Sequence, residues 1–376
     1  MGKEHDMYYI GMDLHKQDLV MAVEDEQGPV GRPRRIACRD TEAIRAAVER
    51  WRPFRAVVEA SASYRWLYDL VSRQGEMVLA HPLRLRAIAT ARAKTDKLDA
   101  ALLARLLRAN LIPAAYVPPA RYQRLRDLTR TRARLSYGAT LAKNQIHALL
   151  ARANVHPPLK TLFGPRGRRY LAGLDLGLSG NLARDELLRR LEHYGREIAA
   201  FDAHLEAVAS EFPEAEALQV LHGIGRYSAL LVVAEIGEPE RFRNGRQVGA
   251  YAGLTARVHQ SGKTEHRGSV SKQGSRWLRW ILVQAAIKLV RRDERLQAFY
   301  QRIRRRAGRN VARVAVARKL AGIPASTAGP PAVARPRGLP ASPRGKSNPR
   351  ARSRKADEAD GCWVRLRRWQ REQAAA

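Results

Sequence analysis

Apolar and polar positions alternate along the first hundred residues in a way that separates strands from helices. Tyr8 to Asp13 and Asp18 to Glu24 follow the period of two of half-buried strands and read as a hairpin. Gln27-Gly28 then turns the chain toward a third strand near Arg34 to Cys38. Thr41 to Trp51 is predicted as a helix with Asp40 as its N-cap. Arg55 to Glu59 is a valine-rich strand, Tyr64 to Arg73 a helix, and Met77 to Ala80 a strand closed by His81-Pro82. Three strands followed by alternating helix and strand is the order of an α/β RNase H-like domain, ending near residue 118. Its last helix runs from Thr95 to Asn110, before Pro113 and Pro118-Pro119.

Beyond it the period changes to that of helices. Arg121 to Asn154 lacks proline and holds a single glycine, Gly138, so it reads as one or two long basic helices. A looser, glycine-containing stretch from Pro157 to Gly180 precedes a second helical run, Asp185 to Glu211. The pair suggests an antiparallel coiled-coil arm over 119–212, and two helices of an ordinary bundle fit the periodicity as well. A mostly α C-terminal region follows over 213–321. There Leu-His-Gly-Ile-Gly-Arg opens an apolar helix within Leu218 to Gly237, a turn that suits a phosphate, as in helix-hairpin-helix modules, or is simply tight. From Gly322 to Arg350 seven prolines stand among alanine, serine and arginine with no periodicity, so 322–376 is expected to be a disordered basic tail.

Charge narrows the partner. The 376 residues carry 69 Lys/Arg against 36 Asp/Glu, a formal net charge of +33. Twelve basic and four acidic residues fall from Gly322 onward, which leaves a surplus of about 25 in the part expected to fold. A polyanion is the expected partner. The charged start, the lack of a long apolar run and the presence of only Cys38 and Cys362 argue against a signal peptide, a membrane span and a disulfide or zinc framework. A reducing cytoplasm fits.

Four carboxylates stand where apolar faces are expected: Asp13 and Glu59 within strands, and Asp96 and Asp99 three residues apart at the start of a helix. Converging acids repel one another unless a cation holds them. Two divalent ions, Mg²⁺ by the hardness of the donors, would do so and would suit phosphoryl transfer. Taken singly, each acid is more simply explained by an ion pair with one of the many arginines.

The segments Ile-Gly-Met-Asp-Leu-His-Lys, Val-Glu-Ala-Ser-Ala-Ser-Tyr and Ala-Lys-Thr-Asp-Lys-Leu-Asp-Ala-Ala-Leu-Leu-Ala resemble the acidic motifs of the DEDD transposases of bacterial insertion sequences, the IS110 family. The run Leu-His-Gly-Ile-Gly-Arg, Phe242, Gly249-Ala-Tyr-Ala-Gly-Leu-Thr, Gln260-Ser-Gly-Lys and Gly268-Ser-Val-Ser-Lys-Gln-Gly resembles the family's C-terminal transposase domain. Together they cover nearly everything from Tyr8 to about Leu320. The resemblance implies a metal site of Asp13, Glu59, Asp96 and Asp99 and a nucleophilic serine at Ser261 that becomes joined to DNA. It also implies an oligomer in which the two halves come from different protomers, and a structured noncoding guide RNA.

Read from its residues alone, Tyr251 to Lys272 is a glycine-rich, loop-dominated stretch in which a serine is usually a turn residue. Arg257, Lys263, Arg267 and Lys272 surround Ser261-Gly262 and would absorb charge on a phosphate; Ser269, Ser271 and Ser275 are nearby alternatives. Two other readings compete with a serine recombinase: a RuvC-like structure-selective nuclease that uses water, and an inactive nucleic-acid-binding remnant. The last has its motive in the C-terminus, where Ala-Gly-Ile-Pro leads straight into proline-rich sequence although family members continue with an apolar helix. A shift of reading frame would account for that departure.

Overall fold

In a computed structural model, residues 7–88, 96–261 and 264–322 are described, with side chains for all of these except 96–98, 258–261 and 264–267. The tail predicted over 322–376 therefore lies outside the described residues from 323 onward. Every described residue belongs to one compact unit.

The chain opens with β1 (Tyr8–Leu14), β2 (Asp18–Glu24) and β3 (Arg34–Ala37), then α1 (Thr41–Glu49), β4 (Phe54–Glu59), α2 (Tyr64–Val71) and β5 (Glu76–Ala80). Two helices follow, α3 (Pro82–Ile88) and α4 (Asp96–Arg108). The five strands form one sheet in the order β3-β2-β1-β4-β5, antiparallel across β3, β2 and β1 and parallel across β1, β4 and β5. Asp40 caps α1 by accepting from Ala43 N–H, as its position predicts.

Side-chain alternation gives the sheet two buried faces. Ile10, Met12, Leu19, Met21, Ala56 and Val58 pack with Ile44 of α1 and Leu67 of α2. On the opposite face Val57 and Ala80 meet Leu103, Leu106 and Leu107 of α4, and Val20 and Ala22 meet its Ala100. Gly11 is what lets α4 lie this close to the central strand. A Cβ there would stand 2.0 Å from Ala100 O and 2.5 Å from Ala104 N, distances no side chain tolerates.

The remainder is mostly helical: α5 (Ala120–Arg152), α6 (Pro165–Ala172), α7 (Gly177–Ala207), α8 (Pro213–Gln219), α9 (Arg226–Ile236) and α10 (Gly245–Tyr251). A hairpin of β6 (Ala256–Ser261) and β7 (Thr264–Val270) precedes α11 (Arg276–Leu289) and α12 (Glu294–Leu320). Arg121 to Asn154, read as one or two helices, is the single helix α5. It runs antiparallel to α7: Arg132 bonds Asp202 through two nitrogens at 2.9 and 3.0 Å, while Gly138, further along α5, underlies the ring of the earlier residue Tyr194. The amino-terminal half of α5 packs instead on α9, through Tyr122 and Leu125 in a core shared with Leu230, Val248, Leu278, Leu282 and Val316.

Two stretches differ from the sequence reading, and the Gly-Ile-Gly turn between them opens a helix as expected. Pro157 to Gly180 holds α6 and the first turn of α7, because Pro165 at the first helical position and buried Leu171 start a helix that the glycines obscure. The Gly-Ile-Gly turn joins two helices, with Gly223 at φ +88° and Gly225 as the N-cap of α9. Tyr251 to Lys272, expected to be a loop, contains the antiparallel ladder of β6 and β7, in which Ser261 pairs with Thr264. Polar residues at alternate and intervening positions concealed those strands.

Candidate active site

The face covered by α4 carries Asp13 and Glu59, and α4 itself carries Asp99. Gly11 and Val57 meet α4, and Asp13 and Glu59 stand two residues beyond them, on the same face of β1 and β4. The parallel register Gly11 to Val57 and Met12 to Val58 brings Asp13 and Glu59 side by side at the carboxyl ends of adjacent strands. Asp99 precedes the Ala100 that touches Gly11, and Asp96 is the first residue of α4, its side chain outside the described residues.

None of the three described acids is fully buried, although each was expected on an apolar face. Asp13, Glu59 and Asp99 are all of intermediate exposure, Asp13 at 21% for its side chain. Its carboxylate accepts a hydrogen bond from, or pairs with, His15 Nε2 at 2.9 Å. An all-oxygen anionic set sharing one face fits a hard divalent cation in chemistry. Among the described residues, however, no three His, Cys, Asp or Glu stand close enough together to enclose one.

Among the described residues two other carboxylates are the buried ones, and sequence reasoning missed both. Glu24, at the end of β2, lies 2.9 Å from Arg108 Nε and 3.6 Å from Arg105 Nε of α4, approaches that lack hydrogen-bond alignment. Glu235 in α9 is completely buried. It accepts from Arg130 Nε at 2.6 Å and Nη2 at 2.9 Å and from Ser275 Oγ at 2.8 Å. Burial works against the Arg130 charge, but the bond to Glu235 and its charge outweigh it and hold that guanidinium above its ordinary pKa. The signal that was available is an acid inside the all-apolar run of α9 with basic residues one helix away.

Glu235 also fixes the base of the β6–β7 hairpin. Ser275 caps α11 by accepting from Leu278 N–H while donating to Glu235, so its hydroxyl is engaged on both sides. Ser271, Lys272 and Ser275 bond through their N–H groups to Thr255, Gly253 and Tyr251, closing the stem. Gly274 makes the approach possible: at φ +117°, a Cβ on it would lie 2.0 Å from Tyr251 O. At the far end of this anchored stem sits Ser261, the last residue of β6. Its side chain, Lys263 and the side chain of Arg267 lie outside the described residues, whereas Arg257 and Lys272 are exposed, with Lys272 at φ +54°.

The acid face and the hairpin are separate in this chain. Among the described residues, α4 packs on β1, β2 and β4, while β6 and β7 pack on each other, with no extended contact between the two groups.

Comparison with known proteins assigns both halves. Residues 10–155 match the DEDD_Tnp_IS110 transposase family and residues 215–301 the Transposase IS116/IS110/IS902 family. The chain is 29% identical over 337 residues to a protein of Pseudomonas aeruginosa named as a family 20 transposase, covering 84% of this chain and 94% of that one. It is 30% identical over 270 residues to the transposase-type protein y4rJ of Sinorhizobium fredii, covering 64% and 67%. It is 30% identical over 217 residues to the transposase for insertion sequence element IS1111A of Coxiella burnetii, covering 54% and 57%. With the acidic motifs on one face of the sheet and these matches over both halves, the chain belongs to the IS110 family of DEDD transposases, enzymes of insertion sequences that act on DNA.

Proposed function

We propose that this transposase cuts and rejoins DNA through a covalent link at Ser261, with Asp13, Glu59, Asp96 and Asp99 as the ligands of Mg²⁺ in an RNase H-like domain spanning about residues 1–118. The observation that carries the metal half is the shared face: Gly11 and Val57 against α4 put Asp13 and Glu59 beside the helix that bears the other two acids. The strand order β3-β2-β1-β4-β5, three antiparallel strands then two parallel ones, supports the RNase H-like reading. A divalent cation held there would supply Lewis-acid neutralisation of the charge that develops on the scissile phosphate.

The chain's own residues do the rest. Ser261 Oγ forms a bond to phosphorus as the bond from phosphorus to the neighbouring sugar oxygen breaks. The serine proton passes to a nearby base or water, and the leaving sugar oxygen takes up a proton. Reversal with a different sugar hydroxyl rejoins the strands and frees the serine. Lys263, two residues after Ser261, would hold the phosphate there, while Arg267, further down the ladder, and Arg257 and Lys272, at the base of the stem, would meet phosphates farther along the strand. Among the described residues the acid face and the hairpin make no extended contact, in keeping with a second protomer that would bring the serine to the acids. Sequence choice by a structured noncoding RNA would leave the protein to cover backbone phosphates, in keeping with a net charge of +33.

The test is an adduct that survives denaturation, formed with DNA carrying the element's ends, guide RNA and Mg²⁺. Ser261→Ala is expected to bind this DNA without becoming attached, and Asp13→Asn to lose cleavage altogether. Undiminished strand cleavage by Ser261→Ala would instead favour water as the nucleophile, and metal-independent binding with no cleavage by the unmodified protein would favour an inactive remnant.

A further inference from the structure

We infer that the outward face of α12 is a docking surface for the phosphate backbone of duplex DNA, an inference that rests on the transposase reading but not on its serine chemistry. The helix sorts its residues by face. Leu296, Phe299, Tyr300 and Ile303 recur at helical spacing and pack into the C-terminal core. Arg302 and Arg305 point away from that stripe, Arg295 and Arg306 flank it beside Phe299, Arg309 follows the break at Gly308, and all five are exposed. Arg295 and Arg302 are seven residues apart, about 10 Å along a helix rising about 1.5 Å per residue.

The same chain supplies the contrast that separates this face from an ordinary solvated one. On α7, exposed arginines are neutralised locally: Arg189 and Arg190 pair with Glu186, and Arg196 with Glu192. On α12 no acid follows Glu294, and none of the five arginines has a carboxylate partner among the described residues. Arg302 has only the ring of Phe299, 5.5 Å away. Like charges at spacings of three and four cost a few tenths of a kcal/mol each in an isolated helix. A helix that keeps them uncompensated is arranged for an anion.

A bend completes the surface. Gly308 interrupts α12 at φ 82°, ψ 170°, a conformation open in practice only to glycine, and nothing lies within 4 Å of where its Cβ would be. Residues beyond it return to the core through Ala312, Val316, Ala317 and Leu320. Both halves are thus fastened and the basic bend is held outward on a rigid support. B-form DNA presents phosphate ridges beside a major groove about 12 Å wide, which a helix face can reach. The deep, narrow major groove of A-form RNA does not admit one.

The experiment measures affinity of the full chain for a 30-base-pair DNA duplex of arbitrary sequence as salt is varied. The variant Arg302→Gln, Arg305→Gln, Arg306→Gln is compared with Arg189→Gln, Arg190→Gln, Arg196→Gln, which removes the same charge from α7. Each phosphate contact contributes about 0.9 to the slope of log affinity against log salt, so the α12 variant should lose roughly 2–3 and the α7 variant much less. The corresponding triple Arg→Lys variant of α12 should keep the slope, which guards against misfolding as the cause. Equal losses in the two Gln variants would overturn the assignment, as would loss of binding to an RNA duplex with DNA binding intact. Failure of the unmodified protein to bind duplex DNA at any salt would overturn it too, and a DNA adduct at Ser261 formed all the same would show that the proposed transposase chemistry stands apart from this surface.

Discussion

Replacing Gly11 by alanine should uncouple the fold from the site more cleanly than changing any acid. The added methyl would sit 2.0 Å from Ala100 O and 2.5 Å from Ala104 N, about 1.4 Å short of ordinary contact with the nearer atom. Both obstacles are backbone atoms of α4, so no rotamer change relieves them. Either the helix lifts from the sheet or β1 bends between β2 and β4, to which it is bonded on both sides. Overpacking of this kind costs about 1–3 kcal/mol. At about 2 °C or less per kcal/mol for a unit larger than 250 residues, Tm should fall by up to roughly 6 °C. The functional loss should be larger. Asp96 and Asp99 ride on α4 while Asp13 and Glu59 stay on the sheet, and a displacement of about 1 Å at a reacting centre can cost a hundredfold. The assay is Mg²⁺-dependent DNA cleavage well below the lowered Tm, alongside a thermal melt. A second-site Ala100→Gly change, which trims a side chain and leaves its carbonyl in place, should not rescue it. A Gly11→Ala protein with unchanged Tm and cleavage would refute the seating of α4 on β1, and with it the grouping of the acids.

Two further predictions concern the support of the serine hairpin and the alkaline limit of the fold. Arg130→Ala leaves the buried Glu235 with only the Ser275 hydroxyl, and should cost about 3 kcal/mol in urea unfolding, the low end for a broken buried pair because Arg130 is 31% exposed; a loss below about 1 kcal/mol would contradict the role given to the pair. Burial pushes the Tyr227 hydroxyl, which donates to Thr129 O, up to about 12. A raised folded-state pKa means that this contribution is complete below the ordinary value of about 10 and is lost as pH rises from there toward 12. Tyr227→Phe should therefore lose about 1.4 kcal/mol less than the unmodified protein between pH 9 and pH 11. Parallel alkaline losses in the two proteins would show that Tyr227 is not the titrating group.

What was legible in the sequence followed from clean periodicity. The alternation in β1, β2 and β4 and the Asp40 cap of α1 are local signals, and the structure has the strands and helix where they point. The β6–β7 hairpin was not legible, since Arg257, His259 and Ser261 put polar residues at alternate positions of a two-stranded ribbon that only cross-strand pairing defines. Neither was the stem that holds it, because Gly274, Ser275, Tyr251 and Glu235 are brought together only by packing. Gly11 illustrates the middle case. Its place two residues before Asp13 is plain in the sequence, yet its purpose appears only when α4 is seen to cross it.

Burial then sorts the acids in the direction opposite to the one periodicity suggests. An apolar setting implied that Asp13, Glu59 and Asp99 would be buried and need partners, yet they lie at the rim, at the ends of strands and beside the first turns of a helix. The carboxylates that are fully buried, Glu24 and Glu235, are each faced by arginine, and each ties one element to another: β2 to α4, and α9 to α5 and α11. An ion enclosed in low dielectric must be matched permanently, which suits a brace and rules out exchange with a substrate. A carboxylate at a partly open rim can exchange water, metal and phosphate, and the proposed chemistry requires that exchange. In this chain, half-burial on a shared face therefore fits the acids proposed to react, and complete burial marks those that hold the frame around them.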